Sequence, residues 1–296
     1  MKKLKQNEKN LYINRRIEES NGYFAKSFSN RYSNWRRYES VIQAIGAELS
    51  SSLDKKKKFN ILEIGCGEAW MIFRLKNEYG DKYNINFTGI DLSDFEIDFA
   101  KRKKKYYKLK GCDFYAMDAT SLKFKDATFD AVICSEVIEH IPDSGKIISE
   151  IRRVLKKDGI AVITTPNSEG SIFVRGFKFL RKISFGLLKI KKEQIVERLV
   201  NKQEKKALED YKIAGRAGLG HVSERNRKEW MKLFKGYGFI IESAFGTGGM
   251  FFGDPVFDHH RFAFAFSVIF DTIAKGISIS YLWSETIIFQ LRKNGE

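Results

Sequence analysis

The stretch Glu63-Ile64-Gly65-Cys66-Gly67-Glu68-Ala69 sets two glycines between an apolar run and the start of a helical pattern. Glycines at such a turn let the backbone come close to a ligand and aim helix N-terminal amides at it. Counting Gly65 as the first glycine, the sixth position is Trp70, so the last glycine of a dinucleotide fingerprint is missing and a pyrophosphate cofactor is disfavoured. Acidic residues end the next two apolar runs, Asp91 in Gly89-Ile-Asp-Leu-Ser93 and Asp118 in Met117-Asp-Ala119. A carboxylate at the first position can accept from both hydroxyls of a ribose, and one at the second from the exocyclic amine of adenine. The alternative for Asp91 or Ser93 is a plain helix cap. Together with Glu63, these acids suit a cationic nucleoside better than a phosphorylated one.

Such residues must be carried to one place by a scaffold. From Phe59 to Asn167, short β-branched runs alternate with amphipathic segments, the pattern of repeated βα units. Strands are expected at Phe59–Gly65, Phe87–Leu92, Asp113–Asp118, Ala131–Ser135 and Ile160–Thr165. Their C-terminal ends would share one sheet edge, where open α/β sheets bind ligands. A helix over Arg225–Lys235, stopped by Gly236 and Gly238, then leads to strands at Phe239–Ala244 and Thr286–Leu291. Residues 1–58 read as a basic lid helix and linker, 59–167 as the cofactor-binding core, 168–220 as an inserted cap too long for an ordinary loop, and 221–296 as the C-terminal part of the sheet with an apolar insertion.

Glu63-Ile-Gly-Cys-Gly67, Gly89-Ile-Asp91, Met117-Asp-Ala119, the block from Phe129 to Pro142 and the stretch from Ile151 to Asn167 together resemble the ordered motifs of class I S-adenosylmethionine-dependent methyltransferases. The resemblance covers residues 59–167 and, less closely, 218–245. It implies a Rossmann-like α/β fold: a seven-stranded, mostly parallel sheet with helices on both faces, the last strand antiparallel, and an inserted α-helical cap. It implies S-adenosylmethionine as cofactor, with Gly65, Cys66 and Gly67 along its methionine part, Glu63 organising its amino group, Asp91 on the ribose, Leu92 against the adenine, Asp118 and the Ala119 amide at the adenine edge, and Ser135 near the sulfonium methyl. Ala69 departs from a family glycine.

Methyl transfer from a sulfonium is an in-line displacement, so the protein has to align donor and acceptor and remove a proton from a hydroxyl or amine. His140, in Glu136-Val-Ile-Glu139-His140, and His221, in Gly218-Leu-Gly-His-Val-Ser223, are the candidate bases. A structural role at the strand–helix junction is the alternative for His140. Glu136, Glu139 and His140 fall at i, i+3 and i+4, one face of a helical turn, and with His221 resemble the divalent-metal site of small-RNA 3′-end methyltransferases. The Glu-His turn is widespread in the resembled family, and the intervening helix and Pro166-Asn167 also fit its wider, metal-free part, so no metal ligand is assigned.

With 296 residues, 43% of them hydrophobic, the chain can bury a full core. Its formal charge of +16 attracts polyanions or reflects solvated lysines everywhere. Within the cap, residues 171–192 are basic and apolar, suited either to contact with an anionic membrane surface or to packing on the sheet. The run Lys101–Lys105, with Lys108 and Lys110, reads as the solvated face of a helix. The acceptor is expected to be a small, lipid-linked or glycan-type molecule, with RNA less favoured because no RNA-binding module accompanies the core. A non-catalytic, cofactor-binding partner subunit is a third possibility. Three cysteines without ligand spacing, and no signal peptide or bilayer-length apolar run, lead to the expectation of a cytoplasmic protein. The oligomeric state is not legible.

Overall fold

The computed structural model describes residues 28–51, 57–169, 222–247, 265, 269, 280–282, 284 and 286–295. The basic stretch 171–192, His221 and most of the 250–283 segment lie outside them. Seven strands form one sheet: β1 (Phe59–Ile64), β2 (Ile85–Asp91), β3 (Cys112–Ala116), β4 (Phe129–Ser135), β5 (Leu155–Pro166), β6 (Phe239–Thr247) and β7 (Thr286–Lys293). Their spatial order is β3-β2-β1-β4-β5-β7-β6. The first five run parallel, and β7 inserts antiparallel between β5 and β6. The order reverses between β1 and β4, which opens the crevice at which such sheets bind ligands.

Among the described residues five helices flank the sheet: α1 (Phe28–Ser51), α2 (Trp70–Tyr79), α3 (Asp94–Tyr106), α4 (Ser144–Val154) and α5 (Arg227–Gly236). Strand residues alternate between two cores. Ile61 faces Val41, Ile45 and Leu49 of α1 and Ile72 and Leu75 of α2, whereas Leu62 and Ile64 belong with Ile147, Ile151 and Val154 of α4 and Trp230 and Phe234 of α5. Burying each such side chain contributes about 1.5–3 kcal/mol before ordering costs. The helix starts follow from local chemistry. Ser93 caps α3 by accepting from the Glu96 amide, and Asn226 with Glu229 forms a capping box on α5. α1 is tied to the sheet by Arg292 of β7, whose guanidinium donates to Glu48 at 2.9 Å.

The expected strands are all present with shifted ends. β5 begins at Leu155, five residues before Ile160, because Leu155 pairs with Phe129 and the chain then bulges through Asp158, at φ 58°, before the ladder resumes at Ile160 and Ala131. The reading of Lys101–Lys105 as wholly solvated is corrected at one position. Lys103 is 2% exposed, because it shares the inward face of α3 with Glu96, Phe99 and Ala100 at helical spacing. Among the described residues no helix is long and apolar enough to cross a membrane.

Candidate active site

The turn after β1 is held by backbone bonds to β2. The Cys66 amide donates to the Ile90 carbonyl at 2.9 Å, and the Ala69 amide closes the turn onto the Cys66 carbonyl at 2.7 Å. Gly65 and Gly67 have φ of 70° and 48°, in the left-handed region that disfavours a side chain. A Cβ on Gly65 would also lie 2.2 Å from Val137 Cγ2, so glycine is what lets this turn close against the segment after β4. In β2, a Cβ on Gly89 would meet Cys66 Sγ at 2.8 Å. Ala69 adopts φ 60° and is fully buried, a backbone conformation that favours glycine, and its methyl still fits.

Asp91, ending β2, is built into this turn. Its Oδ2 accepts the Gly67 amide and its Oδ1 the Ser93 amide, each at 2.9 Å. An ionised carboxylate offers about four lone-pair sites, so two amides leave capacity for two hydroxyl donors. Next to it, Leu92 is 71% exposed, a large apolar side chain presented to solvent at the crevice. The Met117 amide donates to the Asp91 carbonyl at 2.9 Å, bringing Asp118 and Ala119 to the same rim. Asp118 Oδ1 accepts from both the Thr120 amide and hydroxyl at 2.8 Å, an arrangement that fixes its loop, and Ala119 is buried behind it.

Glu63 sits beneath the glycine turn, 5% exposed, with no hydrogen-bond partner for Oε2. Burial raises its carboxyl well above the ordinary glutamate range. The Ile72 amide in the first turn of α2 opposes that rise, the Asp91 charge adds to it, and the Lys103 charge opposes it. Burial, followed by the charges of Glu63, Asp91 and Glu96, likewise raises the Cys66 thiol. Acidic groups are therefore gathered under the turn.

At the end of β4, the Ser135 hydroxyl bonds Thr164 Oγ1 at 2.9 Å, and Thr164 donates to Glu136 at 2.9 Å. Glu136 also faces Arg37 of α1 at 3.4 Å. Glu139 is 1% exposed and accepts from the Thr165 hydroxyl at 3.4 Å, while His140 Nε2 lies 3.8 Å from its other oxygen. Burial, reinforced by the Glu136 charge, pushes the Glu139 carboxyl up to about 8. The helical face expected of Glu136, Glu139 and His140 does not form. Only Ile138–His140 make a 3-10 turn, and Glu136 stands outside it at φ 55° as the strand ends. Among the described residues no three His, Cys, Asp or Glu side chains are grouped to hold a metal ion, and His221 is not one of those residues. Thus Glu63, Gly65, Cys66, Gly67, Asp91, Leu92, Asp118, Ala119, Ser135 and His140 lie at or directly after the C-terminal ends of β1 to β4. Sequence reasoning did not find Arg37, Thr164 or Lys103. Thr164 stood in the strand motif Ile160–Thr165 and could have been inferred, whereas Arg37 arrives from a helix with no local signal.

A methyltransferase domain family matches residues 55–236, which spans the glycine turn, both acidic strand ends and the Glu139-His140 segment. The chain belongs to this family. As in other class I S-adenosylmethionine-dependent methyltransferases, its parallel strands carry the motifs in order along one edge. Over 100 residues it is 39% identical to norajmaline N-methyltransferase of Rauvolfia serpentina, covering 33% of each chain. Over 120 residues it is 34% identical to a ubiquinone biosynthesis O-methyltransferase of Pelagibacter ubique, covering 40% of this chain and 47% of the relative. The chain spans about a third to a half of the length of the curated relatives it matches. Geranyl diphosphate methyltransferase, solved with GPP and sinefungin, shares the fold with a TM-score of 0.52 at 11% identity, over 87% of this chain and 76% of that one.

Proposed function

We propose that this methyltransferase domain binds S-adenosylmethionine across the ends of β1 to β4 and transfers its methyl group to a hydroxyl or amine of a small, lipid-linked or glycan-type acceptor. The observation that carries the cofactor reading is the Asp91 carboxylate, held by the Gly67 and Ser93 amides at the point where a ribose would sit. The buried, unpartnered Glu63 Oε2 fits a cationic amino group above the turn, and exposed Leu92 fits an adenine face. Asp118 and the Ala119 amide would take the adenine edge, with Gly65, Cys66 and Gly67 along the methionine part and Ser135 close to the sulfonium. When bound, the cofactor supplies an electrophilic methyl group.

The chain's own task is then alignment and proton removal. His140 would accept the acceptor's proton, with the Glu139 carboxyl 3.8 Å from its Nε2. His221 is the second candidate base. The aromatic and basic residues of 171–192 and 250–283 support an acceptor with an apolar body and an anionic head, and also support contact with an anionic membrane surface. Purified protein incubated with radiolabelled S-adenosylmethionine and a cell extract, followed by separation of lipid, polar-metabolite, RNA and protein fractions, tests this. Label is expected in the lipid or polar fraction. Label confined to RNA would overturn the acceptor assignment, and no label anywhere would favour a non-catalytic partner subunit.

A further inference from the structure

From Phe99 to Cys112 the chain carries no acidic residue, and α3, which opens on Asp94 and Glu96, ends in a run of lysines. One or two cations at a last turn complement the helix dipole. Here Lys101, Lys104 and Lys105 share one stripe at i, i+3 and i+4, a spacing at which like charges repel, and Lys108 follows at the helix end. All four line a groove of about 680 Å³ beside β3, the edge strand of the sheet, a size common to ligand sites. Phe114 and Tyr115 line it from β3, and Tyr115 is exposed with its ring set edge-on to Phe124. Asp113 is the acid among the lining residues, and the Lys104 ammonium engages it at 3.2 Å. The groove therefore keeps a net positive charge.

The backbone is also shaped to bring in the last of these lysines. The Lys108 amide donates to the Lys105 carbonyl at 3.2 Å and the Leu109 amide to the Lys104 carbonyl at 3.0 Å, the paired bonds of a Schellman close. Lys108 stands at the position in that close where glycine is ordinarily found, with φ 52°. Helix termination alone calls for glycine there, so the side chain at 108 is kept against the local backbone preference.

We propose that this groove is a binding site for an anion carrying several phosphate groups, separate from the crevice at the ends of β1 to β4. Lys101, Lys105 and Lys108 extend over about two helical turns, roughly 11 Å, which suits linked phosphates better than a single one. Lysine acts on phosphate as a point charge on a flexible stem, so the stripe needs no fixed bidentate geometry. Tyr115 and Phe114 offer an apolar wall to the body that bears the phosphates. A free polyphosphate and a phosphorylated lipid headgroup present the same chemistry.

The test titrates the full chain calorimetrically with inorganic tripolyphosphate at low ionic strength, and measures its cosedimentation with phosphatidylcholine vesicles with and without phosphatidylinositol bisphosphate. Lys101→Gln/Lys105→Gln is expected to bind roughly tenfold more weakly, whereas Lys228→Gln/Lys232→Gln, which removes two exposed charges from α5 on the other face of the sheet, stays within about twofold of wild type. Lys108→Gly should bind roughly threefold more weakly while its urea midpoint equals or exceeds that of wild type, since glycine relieves the backbone. Tripolyphosphate binding alone identifies a free ligand, and binding confined to the inositide vesicles identifies a lipid headgroup. Binding of neither probe, an equal loss in the α5 variant, or unchanged affinity in Lys108→Gly would each overturn the proposal. Binding only to a single-stranded RNA oligonucleotide would overturn it in favour of an extended polymer.

Discussion

The Asp91 carboxylate and the Gly67 amide, 2.9 Å apart, join the end of β2 to the turn that follows β1. The side chain assigned to the ribose is therefore also a structural strut of the glycine turn, and its second oxygen holds the Ser93 amide that opens α3. Replacing it should cost the fold and the ligand together.

Asp91→Ala is expected to lower S-adenosylmethionine affinity more than tenfold and to reduce unfolding stability by about 1–3 kcal/mol, since two amides lose a charged acceptor. Calorimetry and urea denaturation read the two effects separately. Affinity within about twofold of wild type would remove Asp91 from the ribose site.

Gly65→Ala combines a left-handed backbone, φ 70°, with a Cβ 2.2 Å from Val137 Cγ2. A destabilisation of about 2 kcal/mol or more is expected. Adding Val137→Ala should relieve the overlap and restore part of the loss, leaving the backbone strain. A double-mutant cycle by denaturation measures this, and strict additivity would show that the clash relaxes elsewhere.

The Glu139 carboxyl, pushed up to about 8 by burial and the Glu136 charge, binds a proton in the folded state that it loses near the ordinary glutamate value when unfolded. The folded state then holds more protons through the interval between those values, so this group's contribution to stability falls as pH rises from about 4.5 to about 8. Glu139→Gln keeps an acceptor for the Thr165 hydroxyl and removes the titration. The stability of Glu139→Gln relative to wild type should rise steadily across that window. Parallel pH curves would mean that Glu139 is ionised throughout.

Chelation is expected to leave methyl transfer intact. The Glu136 carboxylate is already engaged by the Thr164 hydroxyl and by Arg37, and Glu139 and His140 are on a 3-10 turn that Glu136 does not share. Turnover abolished by EDTA and restored by manganese or magnesium would move Glu136, Glu139, His140 and His221 into a metal site and bring RNA 2′-hydroxyl methylation forward.

The seven strands were legible because alternation and β-branched runs report burial directly, as in Ile61, Leu62 and Ile64. Their ends were not, because pairing partners decide them: Leu155 extends β5 only because Phe129 waits across the ladder. The glycine turn and the acidic strand ends could be read from local chemistry. What stayed hidden was contact between distant segments. Arg37 meets Glu136 across the body of the domain, and Lys103 was masked by a run of lysines whose helical spacing, counted from Glu96 through Ala100, turns one of them inward.

Glu139 touches the chain both where it leaves β5 and where it returns. Its carboxyl accepts from the Thr165 hydroxyl, and its carbonyl accepts the amides of Val222 and Ser223. Arg225 reinforces the return by donating to Ser144 and stacking over Trp230. The described chain on either side of residues 170–221 is thus tied to one residue of the sheet edge. The entropic cost of spanning two fixed points grows by only about 0.6 kcal/mol with each doubling of chain length. A domain tied in this way can exchange or lengthen the interval between those points with little thermodynamic consequence for the sheet. Such an interval could be replaced whole while its two moorings stay in place.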